Sequence, residues 1–293
     1  MKIIDIKNLT KYYNKKSRGI IDLSLSIEEG EIFGFIGPNG AGKSTTIRTL
    51  LNFIYPTSGT AEIFGRDVVK ESKAIRQQVG YLPSEVNYYD DMKVSDILNY
   101  SAGFYNKQNN NRIRELSERL DLDLNKKVED LSFGNRKKAA IVQALLHEPK
   151  LLILDEPTSG LDPLIQNTFY DILEEERKKG VSIFFSSHIL SEVQRMCDRV
   201  AIIKEGRLIK VETIENLTKT RIKNVTLTLE SNENINLELP GIIKKERRGR
   251  MLTLLYGGDM RKLISVINTV PIKDLTIEEP SLEEIFIHYY ERN

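Results

Sequence analysis

Gly37-Pro-Asn-Gly-Ala-Gly42-Lys43-Ser44 is the stretch on which the reading of this chain turns. An apolar run, Glu31-Ile-Phe-Gly-Phe-Ile36, leads into it, and Ile47, Leu50 and Leu51 follow at helical spacing. Strand, glycine-rich loop and helix in that order form a phosphate-binding loop. Glycines let backbone amides close on a phosphate with no Cβ in the way, and the helix amino terminus adds partial positive charge. The candidate nucleotide contacts are therefore Gly37, Pro38, Asn39, Gly40, Ala41, Gly42, Lys43, Ser44 and Thr45. Lys43 is expected to bridge the β- and γ-phosphates of a nucleotide, and Ser44 to offer its hydroxyl to Mg²⁺.

A second strand, Leu151-Leu-Ile-Leu-Asp155, ends in two acids, Asp155 and Glu156. In a parallel sheet both carboxylates arrive at the carboxyl edge beside the phosphate loop. Alone this pattern is weak, because many solvated strands end in acids. Beside the loop it is strong, since acids at the end of a buried strand need a countercharge and a bound Mg²⁺ supplies one. Asp155 is expected to hold the metal and Glu156 to polarise an attacking water. The turn Ser159-Gly-Leu-Asp162 precedes Pro163, which suits the first turn of a helix. A third strand, residues 181–186, places His188 at its end, within reach of a γ-phosphate. His147 and His288 have no companion ligands and read as ordinary helix residues.

Composition narrows the class. The chain has 293 residues, 40% hydrophobic and 29% charged, long enough for two folded domains and unlike a collagenous or disordered protein. A net charge of +1 gives no global field for nucleic acid, so no nucleic-acid partner is expected and any polyanion must be bound locally. One cysteine, Cys197, permits no internal disulfide, and the first residues lack the apolar core of a secretory signal, which points to the cytoplasm. No apolar run approaches the ~20 residues of a membrane helix. In a membrane process another chain would do the spanning.

Residues 1–215 alternate short apolar strands with helical stretches, the pattern of an α/β domain with a largely parallel sheet. Residues 85–149 interrupt it with helical periodicity, carried by Val94, Ile97 and Leu98 and, after a polar break at 108–111, by Ile113, Leu116 and Leu120. Residues 200–211 read as a hairpin around Glu205-Gly206. Beyond residue 216 the texture changes to alternation, in Val225-Thr-Leu-Thr-Leu229 and Ile235-Asn-Leu-Glu-Leu239, with helical patterns at 261–267 and 281–290. Residues 216–293 are expected to form a small α+β domain. Its basic run, Lys244, Lys245, Arg247, Arg248 and Arg250, interrupted by Glu246, reads as a solvated loop.

Taken together these residues resemble the nucleotide-binding subunits of ABC transporters. The resemblance covers residues 2–211 and rests on the phosphate loop, a Leu131-Ser-Phe-Gly-Asn135 signature ahead of a helix, the strand ending in Asp155-Glu156, the turn to Asp162, and His188, all in the family's order. It implies a P-loop ABC-type domain with a helical insert that hydrolyses ATP with Mg²⁺. It also implies a head-to-tail homodimer or paired subunit, in which the signature residues Ser132, Gly134 and Asn135 serve the facing subunit's nucleotide, with Asp162 among the nucleotide-binding residues. Tyr13, with Tyr12 as the alternative, matches the aromatic that stacks on adenine. The family's usual glutamine is replaced by Ser84, so metal contact there needs a bridging water or the neighbouring Glu85. Phe133 and Asn135 depart from the usual signature as well.

The closing Glu279-Pro-Ser-Leu-Glu-Glu-Ile-Phe286 looks like the exporter branch whose integral-membrane permease is a separate chain, similar to pumps for antibiotics, peptides or sodium. That implies a subunit on the cytoplasmic face of the membrane, docked through its helical insert by Tyr88, Tyr89, Met92 and Val94. A soluble ABC-type ATPase acting on ribosomes or DNA is the alternative, although such proteins usually carry two nucleotide domains or an added metal module.

Overall fold

The computed structural model describes residues 1–14, 18–105, 110–218, 222–231 and 239–278. These fall into two compact units, Met1–Val211 and Glu212–Asn293. The chain opens with β1 (Lys2–Tyr12), β2 (Arg18–Glu28) and β3 (Ile32–Ile36), then α1 (Lys43–Leu50), β4 (Ser58–Ile63), β5 (Arg66–Asp67), α2 (Ser72–Arg76) and β6 (Val79–Leu82). Helices α3 (Val94–Ala102), α4 (Asn110–Arg119) and α5 (Phe133–Leu145) form the insert. After it come β7 (Leu151–Asp155), α6 (Pro163–Lys178), β8 (Ser182–Ser187), α7 (Leu190–Met196), β9 (Arg199–Lys204) and β10 (Arg207–Thr213).

A six-stranded sheet of order β10-β9-β3-β8-β7-β6 is the frame of the first unit, and β3, β8, β7, β6 and β9 pair in parallel. Every residue of β3, β7 and β8 is buried, which is why these strands read as unbroken apolar runs. Phe184 fills the centre, its ring 6.3 Å from Phe33 and 5.3 Å from Phe35. The first strands do not join this sheet as one largely parallel sheet would require. They form a separate antiparallel sheet of order β2-β1-β4-β5. The reason is local: too few residues separate β1 from β2 for the crossover that parallel pairing needs. In addition, buried Ile4 and Ile6 alternate with Asp5 and Lys7, as on a sheet with one face covered.

The expected hairpin at 200–211 is β9–β10, turned at Glu205 (φ 51°) and Gly206 (φ 79°). It also braces the phosphate loop, because the Gly206 amide donates to the Ala41 carbonyl at 2.8 Å and the Ile21 amide to the Gly206 carbonyl at 2.7 Å. The insert is tied to α6 by ion pairs: buried Arg112 meets Glu176 at 2.5 Å, and Arg119 grips Glu175 with two bonds of 2.6 and 2.8 Å. Val94 is in the local core, so it does not line a docking surface as the sequence suggested.

The second unit contains α8 (Ile214–Thr218), β11 (Lys223–Leu229), β12 (Ile242–Arg248), β13 (Met251–Tyr256), α9 (Met260–Ile267) and β14 (Ile272–Glu278). Its antiparallel sheet runs β12-β13-β11-β14. Val225, Leu227 and Leu229 point into a core shared with Leu252, Leu254, Tyr256, Leu263 and Ile267, as the alternation of β11 requires. The basic run is edge strand β12 rather than a loop. Lys and Arg on an edge discourage pairing with foreign strands, and alternation hidden among charges carries little strand signal. Residues 106–109, 235–238 and 279–293, and with them the expected 281–290 helix, the Glu279 to Phe286 motif and His288, lie outside the described residues.

Because Phe184 is fully buried between two rings, Phe184→Ala should destabilise the first unit by about 3–5 kcal/mol. Denaturant unfolding followed by circular dichroism measures this, and a loss below ~1 kcal/mol would contradict the packing described.

Candidate active site

Strand β8 lies between β3 and β7, so three segments leave the sheet at one carboxyl edge: the loop after β3, the acids after β7 and His188 after β8. The loop is shaped by close approach. A Cβ on Gly37 would lie 2.3 Å from the Ile203 carbonyl oxygen, and Gly42, at φ 111°, could carry one only 2.7 Å from the Gly19 carbonyl oxygen. Around Gly40 there is open space. Helix α1 starts at Lys43, and its first amides have no acceptor within the helix, which makes this end a natural anion site. Lys43 is buried, its ammonium donating to the Gly37 carbonyl at 2.8 Å and the Pro38 carbonyl at 3.4 Å.

The acids arrive as expected. Asp155 is buried, and its Oδ1 accepts the Ser186 hydroxyl at 2.7 Å. Glu156 has a left-handed backbone, φ 46°, and its amide donates to the Ser186 carbonyl at 3.1 Å. That turn aims the carboxylate across the edge, with Oε1 3.4 Å from Lys43 Nζ and 3.2 Å from His188 Nδ1. A cavity of about 240 Å³ opens here, lined by Tyr13, Asn39, Gly40, Gly42, the Lys43-Ser44-Thr45 turn and Glu156. Tyr13, not Tyr12, lines it, and its hydroxyl is 3.2 Å from Thr45 Oγ1.

A second cavity of about 680 Å³ shares Ser44 and Glu156 and extends to Ser84, Glu85, Phe133 and Ser159. Both candidates for the replaced glutamine therefore face the site. The signature residues are placed differently. Ser132 caps α5, its Oγ accepting the Asn135 amide at 3.3 Å, and Gly134 packs so closely that a Cβ would lie 2.7 Å from the Gly160 carbonyl oxygen. Asp162 caps α6, accepting the Leu164 and Ile165 amides at 3.0 Å each. Within one chain, Ser132, Gly134, Asn135 and Asp162 line neither cavity. His147 is buried just after α5, bonded to the Val79 carbonyl and stacked on Tyr105 at 3.8 Å.

Sequence reasoning missed Lys137. It is fully buried on α5, and its ammonium donates to the carbonyls of Pro83 at 2.8 Å and Ser84 at 3.2 Å. Burial lowers its pKa to about 8, against the opposing pull of Asp155 and Glu156. A signal existed: Lys137 precedes Ala140 and Ile141 by three and four residues, which puts a charge on the buried helix face.

The ABC transporter family model matches residues 20–159. The bacitracin transport ATP-binding protein BcrA of Bacillus licheniformis is 34% identical over 97% of this chain and 96% of its own length. This chain belongs to the ABC transporter ATP-binding proteins. NatA of Bacillus subtilis, an ABC transporter ATP-binding protein, is 36% identical over 71% of the chain and 87% of its own length. A solved structure of the ATP-binding subunit of an ABC transporter is 30% identical over 74% of the chain and 92% of its own, with a TM-score of 0.70. As an ABC transporter ATPase the chain binds and hydrolyses ATP. Among its described residues no helix is long and apolar enough to cross a membrane.

Lys137 sets a pH dependence for this ABC subunit. Its folded pKa of about 8 lies below the ordinary 10.5, so between those values the unfolded chain binds more protons. Stability contributed by this group therefore rises with pH across that window. Denaturant unfolding of the parent and of Lys137→Met should show the parent gaining relative to the variant from pH 8 to pH 10; a flat difference contradicts the buried ammonium.

Proposed function

We propose that this chain is the motor subunit of an ABC exporter, and that Lys43, Glu156 and His188 hydrolyse ATP bound on the phosphate loop. The observation that carries this reading is the convergence of all three on one edge, with Glu156 within 3.4 Å of both cations or proton carriers. In this reading the β- and γ-phosphates take over Lys43 from the loop carbonyls and from Glu156, and the Gly40 to Thr45 amides close on them. Tyr13 stacks on the adenine, beside Thr45.

Mg²⁺ fits the oxygen donors present. Ser44 offers a hydroxyl, and Asp155 a buried carboxylate with one oxygen already fixed by Ser186. Ser84, through water, or Glu85 completes the set from the adjoining cavity. The metal would neutralise charge on the β- and γ-phosphates. Freed from Lys43, Glu156 orients the attacking water and accepts its proton, and His188 holds the γ-phosphate while hydrogen-bonded to Glu156.

Ser132, Gly134, Asn135 and Asp162 do not line the cavity beside their own phosphate loop, which leaves them available to another. We assign them to the nucleotide of a second subunit in a head-to-tail homodimer or paired complex. The permease partner is assigned to a groove of about 930 Å³ between the helical insert and the segments around Phe53 and Tyr81. Exposed Tyr89, Tyr100, Phe104 and Phe53 line it, with Tyr100 and Phe104 edge to face at 5.0 Å. Exposed aromatics this dense suit an apolar partner helix. Docking there places the subunit on the cytoplasmic face of the membrane. BcrA is named for bacitracin transport, and the exported substrate is proposed to be an antibiotic, peptide or cation of the kind such pumps carry. Residues 1–215 carry the ATPase in this reading, with the insert at 85–149, and 216–293 form an accessory domain.

Glu156→Gln keeps volume but removes the base, so hydrolysis should fall about 10²- to 10⁴-fold with ATP binding retained. Lys43→Ala should weaken ATP binding itself by about 10- to 100-fold. Steady-state turnover and calorimetry separate the two; parental turnover in Glu156→Gln would refute the assignment.

Tyr100→Glu with Phe104→Glu tests the groove. This double variant should keep basal ATP hydrolysis yet lose co-fractionation with the membrane when expressed with its permease. Undiminished membrane association would place the dock elsewhere.

A further inference from the structure

One buried acid lies between the two segments that carry Glu156 and His188. Glu192 sits in the first turn of α7, four residues after His188, and is 7% exposed. Thr158, two residues beyond Glu156, donates its hydroxyl to Glu192 Oε1. Ser187, the residue before His188, donates to Oε2 at 2.7 Å. Among the described residues this carboxylate is thus held by hydroxyl groups and not by a cation. A buried acid is costly unless its lone pairs are satisfied, so this site is built to keep one in place.

The two oxygens reach two different chain segments, and both segments need holding. Glu156 occupies a left-handed backbone conformation that a side chain other than glycine adopts only when its surroundings over-determine it. Its amide is anchored to the Ser186 carbonyl at 3.1 Å on one side; the Thr158 hydroxyl on Glu192 is the anchor on the other. His188 lies in the turn between β8 and α7, where Ser187 Oγ also accepts the Ile189 amide at 2.9 Å. Fixing Ser187 to Glu192 fixes the start of that turn.

We propose that Glu192 is a positioning residue that holds the Glu156 and His188 segments at their working separation. The proposal rests on the assignment of Glu156 and His188 to hydrolysis. Among the described residues, no hydrogen bond or ion pair joins Glu192 to Glu156, to His188 or to the phosphate loop. Its loss should therefore spread the catalytic pair while Lys43, Ser44 and Tyr13 continue to bind nucleotide. A glutamine in its place can still accept one hydroxyl and donate to the other, so the bridge survives without the charge.

The test uses the full chain with ATP and a fluorescent ATP analogue. Glu192→Ala should lose about 10- to 100-fold in kcat, with KM and analogue affinity unchanged within about threefold. Glu192→Gln should recover most of that loss. Thr158→Val, which leaves Ser187 on the carboxylate, should show part of it. Thermal melting identifies any variant that fails to fold; if Glu192→Ala does, the other two decide. A folded Thr158→Val with parental kcat, or a Glu192→Gln as impaired in kcat as Glu192→Ala, overturns the positioning role. So does a loss in Glu192→Ala that falls on KM rather than kcat. Glu156→Gln is run alongside: parental turnover there brings down the site assignment and the positioning role with it, whereas an inactive Glu156→Gln beside an unimpaired Glu192→Ala brings down the positioning role alone.

Discussion

A lysine ammonium buried at the edge of a parallel sheet, 3.4 Å from a carboxylate, is the interaction on which the first unit depends. The buried Lys43 needs acceptors for its charge, and Glu156 supplies one beside the Gly37 carbonyl. Lys43 is brought there by the loop after β3 and Glu156 by the turn after β7, and β8 between those strands delivers His188. The pair thus requires three parallel strands in one order, each buried on both faces. The hairpin at Glu205-Gly206 braces the loop from outside the triad, and the close fit of Gly37 against Ile203 leaves the loop a single path.

The same site reaches the helical insert through a second buried cation. Lys137 on α5 holds the Pro83 and Ser84 carbonyls, and α5 begins at the Ser132 cap. These bonds join the Ser84 loop directly to α5. From the other side, Arg112 and Arg119 bind α4 to α6, the helix that Asp162 caps. The insert is held by charges at two places, and it forms one wall of the aromatic groove. Such connections give a physical route by which hydrolysis and docking can influence one another.

Legibility differed sharply among residues. Asp155, Glu156 and His188 were readable because each sits at or just beyond the end of a buried apolar strand, and Lys43 because a glycine-rich loop leads from such a strand to the helix it opens. Tyr13 was preferred to Tyr12 on the family resemblance, and of the two only Tyr13 lines the loop cavity. The antiparallel sheet was under-read because a period-2 pattern does not say which sheet a strand joins. Edge strand β12 was taken for a loop because its charges conceal the alternation.

The sequence by itself determined the phosphate loop and the strand-end acids that face it, because these depend on residue type and short spacing, whereas the order β3-β8-β7 that brings them together came from the fold. Only the tertiary structure decided which distant groups satisfy the buried charges: Ser186 for Asp155, the Pro83 and Ser84 carbonyls for Lys137, Thr158 and Ser187 for Glu192. A serine, a threonine or a carbonyl carries no local mark of its future partner. Its role arises when burial removes water and leaves a charge that must be met by whatever the fold has brought within about 3 Å.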